Sequence, residues 1–292
     1  MSERLKKTSL LVIKSAVVVL SVYYIGLVVA QNLTAIHNTT VPDWYLLSGV
    51  LGGSVMLYVM AMIALMNGWL YLSQPEDKKT MAMIYFKSQL LKYTPGNVMH
   101  FVYRHLHSKN TGISHQRLIK ATISETVILI SLALLLTTPL LLWGYQHELL
   151  LGLPVTLIVL IILVLVATFQ IHQFISLKVS TWLHVNLVYC LYFMLMGMVC
   201  FLIAQSLNFS HQPLITVSAL YAAAWVAGYV VPGAPGGLGV REAAFVLLSN
   251  GIYTPHEALI LIALIRLIAV AGEAICYLSA KQLANWVVHH RP

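Results

Sequence analysis

Charge is what this sequence has least of. Lys, Arg, Asp and Glu make up 9% of its 292 residues, against roughly 25% in an ordinary soluble domain. At a mean hydropathy of +0.83, too few charges are present to cover a water-facing surface, and a soluble globular domain is excluded. Acids are the scarcer sign, nine against 17 basic residues, and no DxD pair offers the paired carboxylates of many group-transfer sites. Cysteine is nearly absent. Cys190, Cys200 and Cys276 all fall in apolar runs with no CxxC or Cys/His metal spacing, and are read as small packing residues. Cys190 and Cys200 would stand about 15 Å apart on one helix, too far for a disulfide. Also missing are a P-loop Lys-Ser/Thr pair, an HExxH pattern, a low-complexity tail and a polar linker. The chain is therefore read as a single membrane domain over 1–292, with no cofactor and no bound metal implied.

What is present is length in apolar runs. Seven stretches, at 11–30, 44–66, 119–143, 151–169, 185–205, 214–231 and 257–280, approach the roughly 20 residues that cross a bilayer core. Two more, 81–107 and 232–252, are apolar but broken by Pro and Gly. The fold class expected is an all-α polytopic integral membrane protein with about seven or eight transmembrane helices and two Pro/Gly-broken re-entrant elements. The basic start, with Arg4, Lys6 and Lys7 before the first apolar run, reads as an uncleaved signal anchor.

The net charge of +8 follows the positive-inside rule better than it follows nucleic acid, since no basic stripe with interleaved aromatics stands outside the apolar runs. The N-terminus is basic, 31–43 has no Lys or Arg, 67–118 has seven, 144–150 has none, 170–184 has Lys178 and 206–213 has none. This alternation sets the N-terminus on the cytoplasmic side. Seven spans would leave Lys281 and Arg291 outside, a conflict that disappears if 232–252 makes an eighth, broken pass. Trp44, Tyr45, Trp143, Tyr145 and Trp286 fall near expected interfaces, as an aromatic belt does.

The two broken segments carry the chemistry. From Lys78 to Lys120 there are eight basic residues and no acid, and Lys92-Tyr93-Thr94-Pro95-Gly96-Asn97 interrupts the stretch. Pro removes a backbone donor and Gly permits a sharp turn, so helix stops and restarts there. At membrane depth such backbone must be buried in protein or line a watery cavity, and a restarting helix N-terminus offers amides to an anion. An interfacial helix with a Pro-Gly turn is the alternative. The second segment runs Pro232-Gly233-Ala234-Pro235-Gly236-Gly237-Leu238-Gly239 and opens a short helix at Val240, with Arg241 and Glu242 in its first turn. Broken helices of this type aim their N-terminal ends at anionic substrates near mid-membrane. Three charges, Glu125, Arg266 and Glu273, lie inside long apolar runs, where each costs about 2.5–3.5 kcal/mol on insertion scales unless paired or hydrated. Arg266 and Glu273 share a helix face but are two turns apart, so other helices must supply their partners; Arg241, Glu242 and Glu125 are the candidates. Glu125 alternatively snorkels from its span end. His100, His105 and His107 crowd one segment without an acid beside them.

Together these residues resemble a known family. Lys92-Tyr93-Thr94-Pro95-Gly96-Asn97 is similar to the K-Y-[IL]-P-G-x element of the lysylphosphatidylglycerol synthase transmembrane, or flippase-like, family, with Thr94 in place of an aliphatic residue. Pro235-Gly236-Gly237-Leu238-Gly239-Val240-Arg241-Glu242 resembles that family's second signature, and Glu125 fits its spacing. The resemblance implies a bundle of about eight helices and a role in moving lipids across the bacterial inner membrane. It is to the stand-alone members, since no aminoacyl-transferase domain follows the last span, and it does not name the cargo.

The leading expectation is a lipid flippase or transporter for a phospholipid or a polyprenyl-phosphate type envelope precursor. Its headgroup would lie between the two broken elements. Lys92, Arg104, Arg241 and Arg266 would attract phosphate, with Glu242 and Glu273 as counter-charges or sites for a cationic headgroup or a proton. The alternatives are an integral-membrane transferase, for which only Glu125 and Glu242 could serve as acid or base, and a non-catalytic partner of envelope-biosynthesis enzymes.

Overall fold

The computed structural model describes residues 44–94, 98–138, 140, 161–162, 164, 167, 169–209, 212–231 and 234–289. The expected span at 11–30, most of that at 151–169, the N-terminal basic cluster, and Trp143, Tyr145 and Arg291 lie outside them. Every regular element among the described residues is helical. Four helices are long and apolar enough to cross a bilayer: α1 (Trp44–Ser73), α4 (His115–Leu136), α5 (Val179–Ser206) and α8 (Pro255–His289). Shorter helices lie between them, α2 (Lys78–Gln89) and α3 (Met99–His107) after α1, α6 (Leu214–Val230) and α7 (Val240–Leu248) after α5. The apolar stretch at 214–231 thus becomes a helix of 17 residues, about 26 Å at 1.5 Å per residue, short of a 30 Å hydrocarbon core.

Local chemistry sets where these helices begin and end. Asp77 caps α2, accepting the Thr80 amide at 3.0 Å, and the Thr80 hydroxyl holds its carboxyl below the ordinary range. Ser114 caps α4 through the Arg117 amide. Arg117 then reaches back to the carbonyls of Leu72 and Ile175, closing two helix ends that would otherwise leave acceptors unfilled. Before α8, Thr254 and Glu257 bond each other's backbone amides, with Pro255 at the first helical position, a capping box that starts the helix cleanly.

The order long helix, interrupted pair, long helix therefore occurs twice, as α1, α2/α3, α4 and as α5, α6/α7, α8. The central helices of the two halves, α1 and α5, make the most extensive helix contact in the molecule. Tyr71 and Asn67 meet His184, Gly68 meets Tyr189, and Tyr58 shares a cavity wall with Tyr192. Moving back along α1 is moving forward along α5, so the two run antiparallel. Each interrupted pair also leans on the last long helix of the other half, α2 on α8 and α6 on α4.

Small residues make the close approaches. A side chain at Gly197 of α5 would overlap Ser218 of α6, the small-residue contact by which helices approach in lipid, where the hydrophobic effect supplies no drive between them. Gly197→Val is expected to lower stability by about 1–3 kcal/mol, the range for overpacking. Thermal unfolding in detergent reads it, and adding Ser218→Gly should return part of the loss.

Candidate functional site

The first interrupted pair turns at its 3-10 stretch, Leu90–Tyr93. Lys92 leaves that stretch to form an ion pair with Glu273 of α8, whose Oε1 also accepts the Tyr58 hydroxyl at 2.6 Å. Pro95, Gly96 and Asn97 lie outside the described residues. The chain resumes at Val98, and α3 turns His100 and Arg104 inward, one helical turn apart on its buried face. Arg104 is saturated. Its Nη1 meets Glu125 Oε2 at 2.6 Å, its Nε donates to Ser88 Oγ at 2.9 Å, and its guanidinium lies over Tyr85 and Trp69 with the guanidinium carbon 4.3 and 4.7 Å from the ring centres. Glu125 does not snorkel to a span end; it is buried, 3% exposed.

The second pair turns at Pro235–Gly237. Gly237 has φ +74° and lies against the backbone of Gly228, whose carbonyl oxygen a β-carbon would meet at 2.7 Å, so only glycine fits both the conformation and the space. A β-carbon on Gly236 would strike the Tyr93 ring at 2.8 Å, and the two turns meet there. Glu242, in the first turn of α7, accepts the Gly239 amide at 2.7 Å with one oxygen and Arg266 Nε at 2.6 Å with the other. Arg266 Nη1 donates to the Gly236 carbonyl at 2.9 Å. The amide at Gly239, expected to face a phosphate, is held by the chain's own carboxylate.

The pairing is symmetric between the halves with the signs exchanged. Arg104 on α3 meets Glu125 on α4, and Glu242 on α7 meets Arg266 on α8. In each, the second helix of the interrupted pair is bonded to the long helix that follows.

One charge is left over. Lys92, Arg104, Arg241 and Arg266 face Glu125, Glu242 and Glu273, and the three ion pairs consume all but Arg241. Arg241 packs over Gly228, has no acidic partner among the described residues, and its buried Nε makes no hydrogen bond. It lines an internal cavity of about 70 Å³ together with Lys92, Arg104, His100, Gln89, Tyr58 and Tyr229. His100 Nδ1 is likewise without a partner. Arg241 as a whole is half-buried, but a buried donor left unfilled costs about 1–3 kcal/mol, and an anion in that cavity would relieve it. Among the described residues no three His, Cys, Asp or Glu side chains converge as a metal site would require.

Of the sequence-derived candidates, the structure gathers Lys92, Tyr93, Arg104, Glu125, Gly236, Gly237, Gly239, Arg241, Glu242, Arg266 and Glu273 around the meeting of the two turns. Pro235 opens the second turn without touching a charge that is described here. Of the proposed partners for Arg266 and Glu273, Glu242 takes Arg266, while Glu273 is taken by Lys92 and Tyr58. Sequence reasoning missed the tyrosines and the tryptophan, Tyr58, Tyr85, Tyr192, Tyr229 and Trp225, that wall the cavity. Their signal was position: Tyr58, Tyr85, Tyr192 and Trp225 stand inside a helix rather than at its end, while Tyr229 is next to last in α6. Cys200 and Cys276 are buried and unpaired, Cys190 partly buried.

No protein-family model matches this chain, and no curated protein matches it either.

Glu125→Ala strands the Arg104 guanidinium and is expected to cost about 3–5 kcal/mol. The double variant Arg104→Met, Glu125→Leu should recover most of it. Unfolding midpoints of the three proteins in one detergent compare them directly.

Proposed function

We propose that the protein is a lipid transporter that binds the singly charged phosphate of a membrane lipid at Arg241 and carries that headgroup across the bacterial inner membrane. The observation that carries this reading is Arg241, which among the described residues around the two turns is the cation without an acidic partner, facing a cavity with its Nε unfilled. A net charge of one favours a phosphodiester, as in a glycerophospholipid, over a polyprenyl monophosphate with its second ionisation near neutral pH. Glu125 and Glu242, the carboxylates a transferase would use, are both engaged in ion pairs, which favours transport.

The two interrupted pairs act as re-entrant hairpins entering from opposite sides, their turns meeting at mid-membrane, as in transporters built from inverted repeats. The antiparallel contact of α1 with α5 supports this, and so do the charges. Seven basic residues lie between 67 and 118, setting the end of α1 and the α2/α3 hairpin on the cytoplasmic side. Antiparallel to α1, α5 then starts at Lys178 inside and ends outside. An α6/α7 hairpin that begins and ends outside sends α8 inward, so that Lys281 reaches the cytoplasm. No eighth crossing is then needed.

Two measurements test this. In proteoliposomes, headgroup-labelled phosphatidylglycerol should cross faster than a polyprenyl phosphate. Arg241→Gln, which removes a charged hydrogen bond worth about 1.5–3 kcal/mol, should slow it at least about tenfold without lowering the unfolding midpoint. Wild-type movement in Arg241→Gln would overturn the reading. In a cysteine-free background, Val231→Cys should resist an impermeant maleimide from the cytoplasmic side while Lys281→Cys reacts there and Asn250→Cys reacts from outside. Cytoplasmic labelling of Val231→Cys would mean that 232–252 crosses.

A further inference from the structure

The cavity holds a phosphate and little else. At about 70 Å³ it has room for roughly five water-sized probes at ~10–15 Å³ each, so the rest of any lipid bound there must lie elsewhere. A mostly apolar groove of about 310 Å³ runs between α3 and α4, lined by Val102, Leu106, Ile119 and Ile123 with Phe101 at its inner wall and with His105 and Thr122 as its polar members. Val102 and Leu106 stand one turn apart on the face of α3 opposite His100 and Arg104, and are 39% and 58% exposed. Phe101 lines both spaces. Its ring centre is 3.8 Å from that of His100 and 6.0 Å from the Arg104 guanidinium carbon, so one aromatic ring separates a cationic pocket from a chargeless groove.

We infer that the groove between α3 and α4 seats a hydrocarbon chain of the phospholipid whose phosphate lies at Arg241, and that the headgroup enters laterally past Phe101. This rests on the function proposed above. The occupant follows from the chemistry on the two sides of Phe101. A molecule filling both spaces has one anionic end and one largely apolar end. A free phosphate would leave the groove unused. Since α3 ends and α4 begins beside the basic stretch from Lys78 to Lys120, loading takes place from the cytoplasmic leaflet, where anionic lipid gathers at Lys and Arg.

The full chain would be reconstituted in vesicles containing phosphatidylglycerol or phosphatidylcholine, each with a photoactivatable acyl chain, and the adducts mapped by peptide mass spectrometry. Adducts on the peptide bearing Val102 and Leu106 should be several-fold more abundant with phosphatidylglycerol, and Arg241→Gln should bring them down to the phosphatidylcholine level. Adducts at Leu187 on α5, 68% exposed, should be the same for both lipids. Equal groove adducts for the two lipids, or adducts indifferent to Arg241→Gln, while phosphatidylglycerol movement still depends on Arg241, would overturn the chain seat and leave the transporter standing. Movement indifferent to Arg241→Gln would remove both. Disulfide-linked dimers through Val102→Cys would assign the groove to a second copy of the chain and also overturn it.

Discussion

A charge taken out of water needs a partner, and in this chain that requirement ties the helices together. Glu125, Arg266 and Glu273 sit well inside apolar helices, and none has an opposite charge within reach on its own helix. Each draws in a residue from an interrupted segment, Arg104, Glu242 and Lys92 respectively. Those segments are short and leave backbone groups exposed where they break. The ion pairs, the Arg266 bond to the Gly236 carbonyl and the Tyr93 ring against Gly236 hold the broken ends in place.

The same economy isolates Arg241. Its neighbour Glu242 points the other way, both oxygens already taken by Arg266 and the Gly239 amide. Adjacent residues on a helix diverge by about 100°, so Glu242 cannot serve Arg241 while serving α8. The other charges around the two turns are paired, and Arg241 is informative beside them because its Nε is buried and unfilled, which is costly in a way that a surface arginine is not. An apolar groove one ring away from that pocket gives the site the two-sided character of an amphiphile.

Much of the site was legible in the sequence, for a physical reason. Charges are rare in apolar runs and expensive there, so Glu125, Arg266 and Glu273 announce themselves, and Pro-Gly clusters announce a break in helix. The partners were less legible. Glu242 was among the candidates for Arg266, but Lys92 and Arg104 were read as phosphate ligands, Lys92 rather than as the counter-ion of Glu273 and Arg104 rather than as the partner of Glu125 lying over Tyr85 and Trp69. The tyrosines of the cavity wall were hidden because aromatic residues in such a sequence are first assigned to the membrane interface. The duplication of long helix, interrupted pair and long helix escaped notice as well. Its two ion pairs, 21 and 24 residues apart in the chain, carry opposite signs, so no motif repeats.

By itself the sequence determined that the chain is helical, that several of its helices are long and apolar enough for a bilayer, where helices break, and which charges must find partners. Those follow from composition, periodicity and the cost of burying polar groups, which are local properties. Only the tertiary structure decided which charge meets which, that α1 and α5 run antiparallel, that the two turns touch, and that among the described charges around those turns Arg241 is left without a counter-charge. Such facts depend on distances between helices far apart in the chain, and many pairings satisfy the same local rules. Packing selects one, because small residues such as Gly197, Gly228 and Gly237 permit close approach at only a few places.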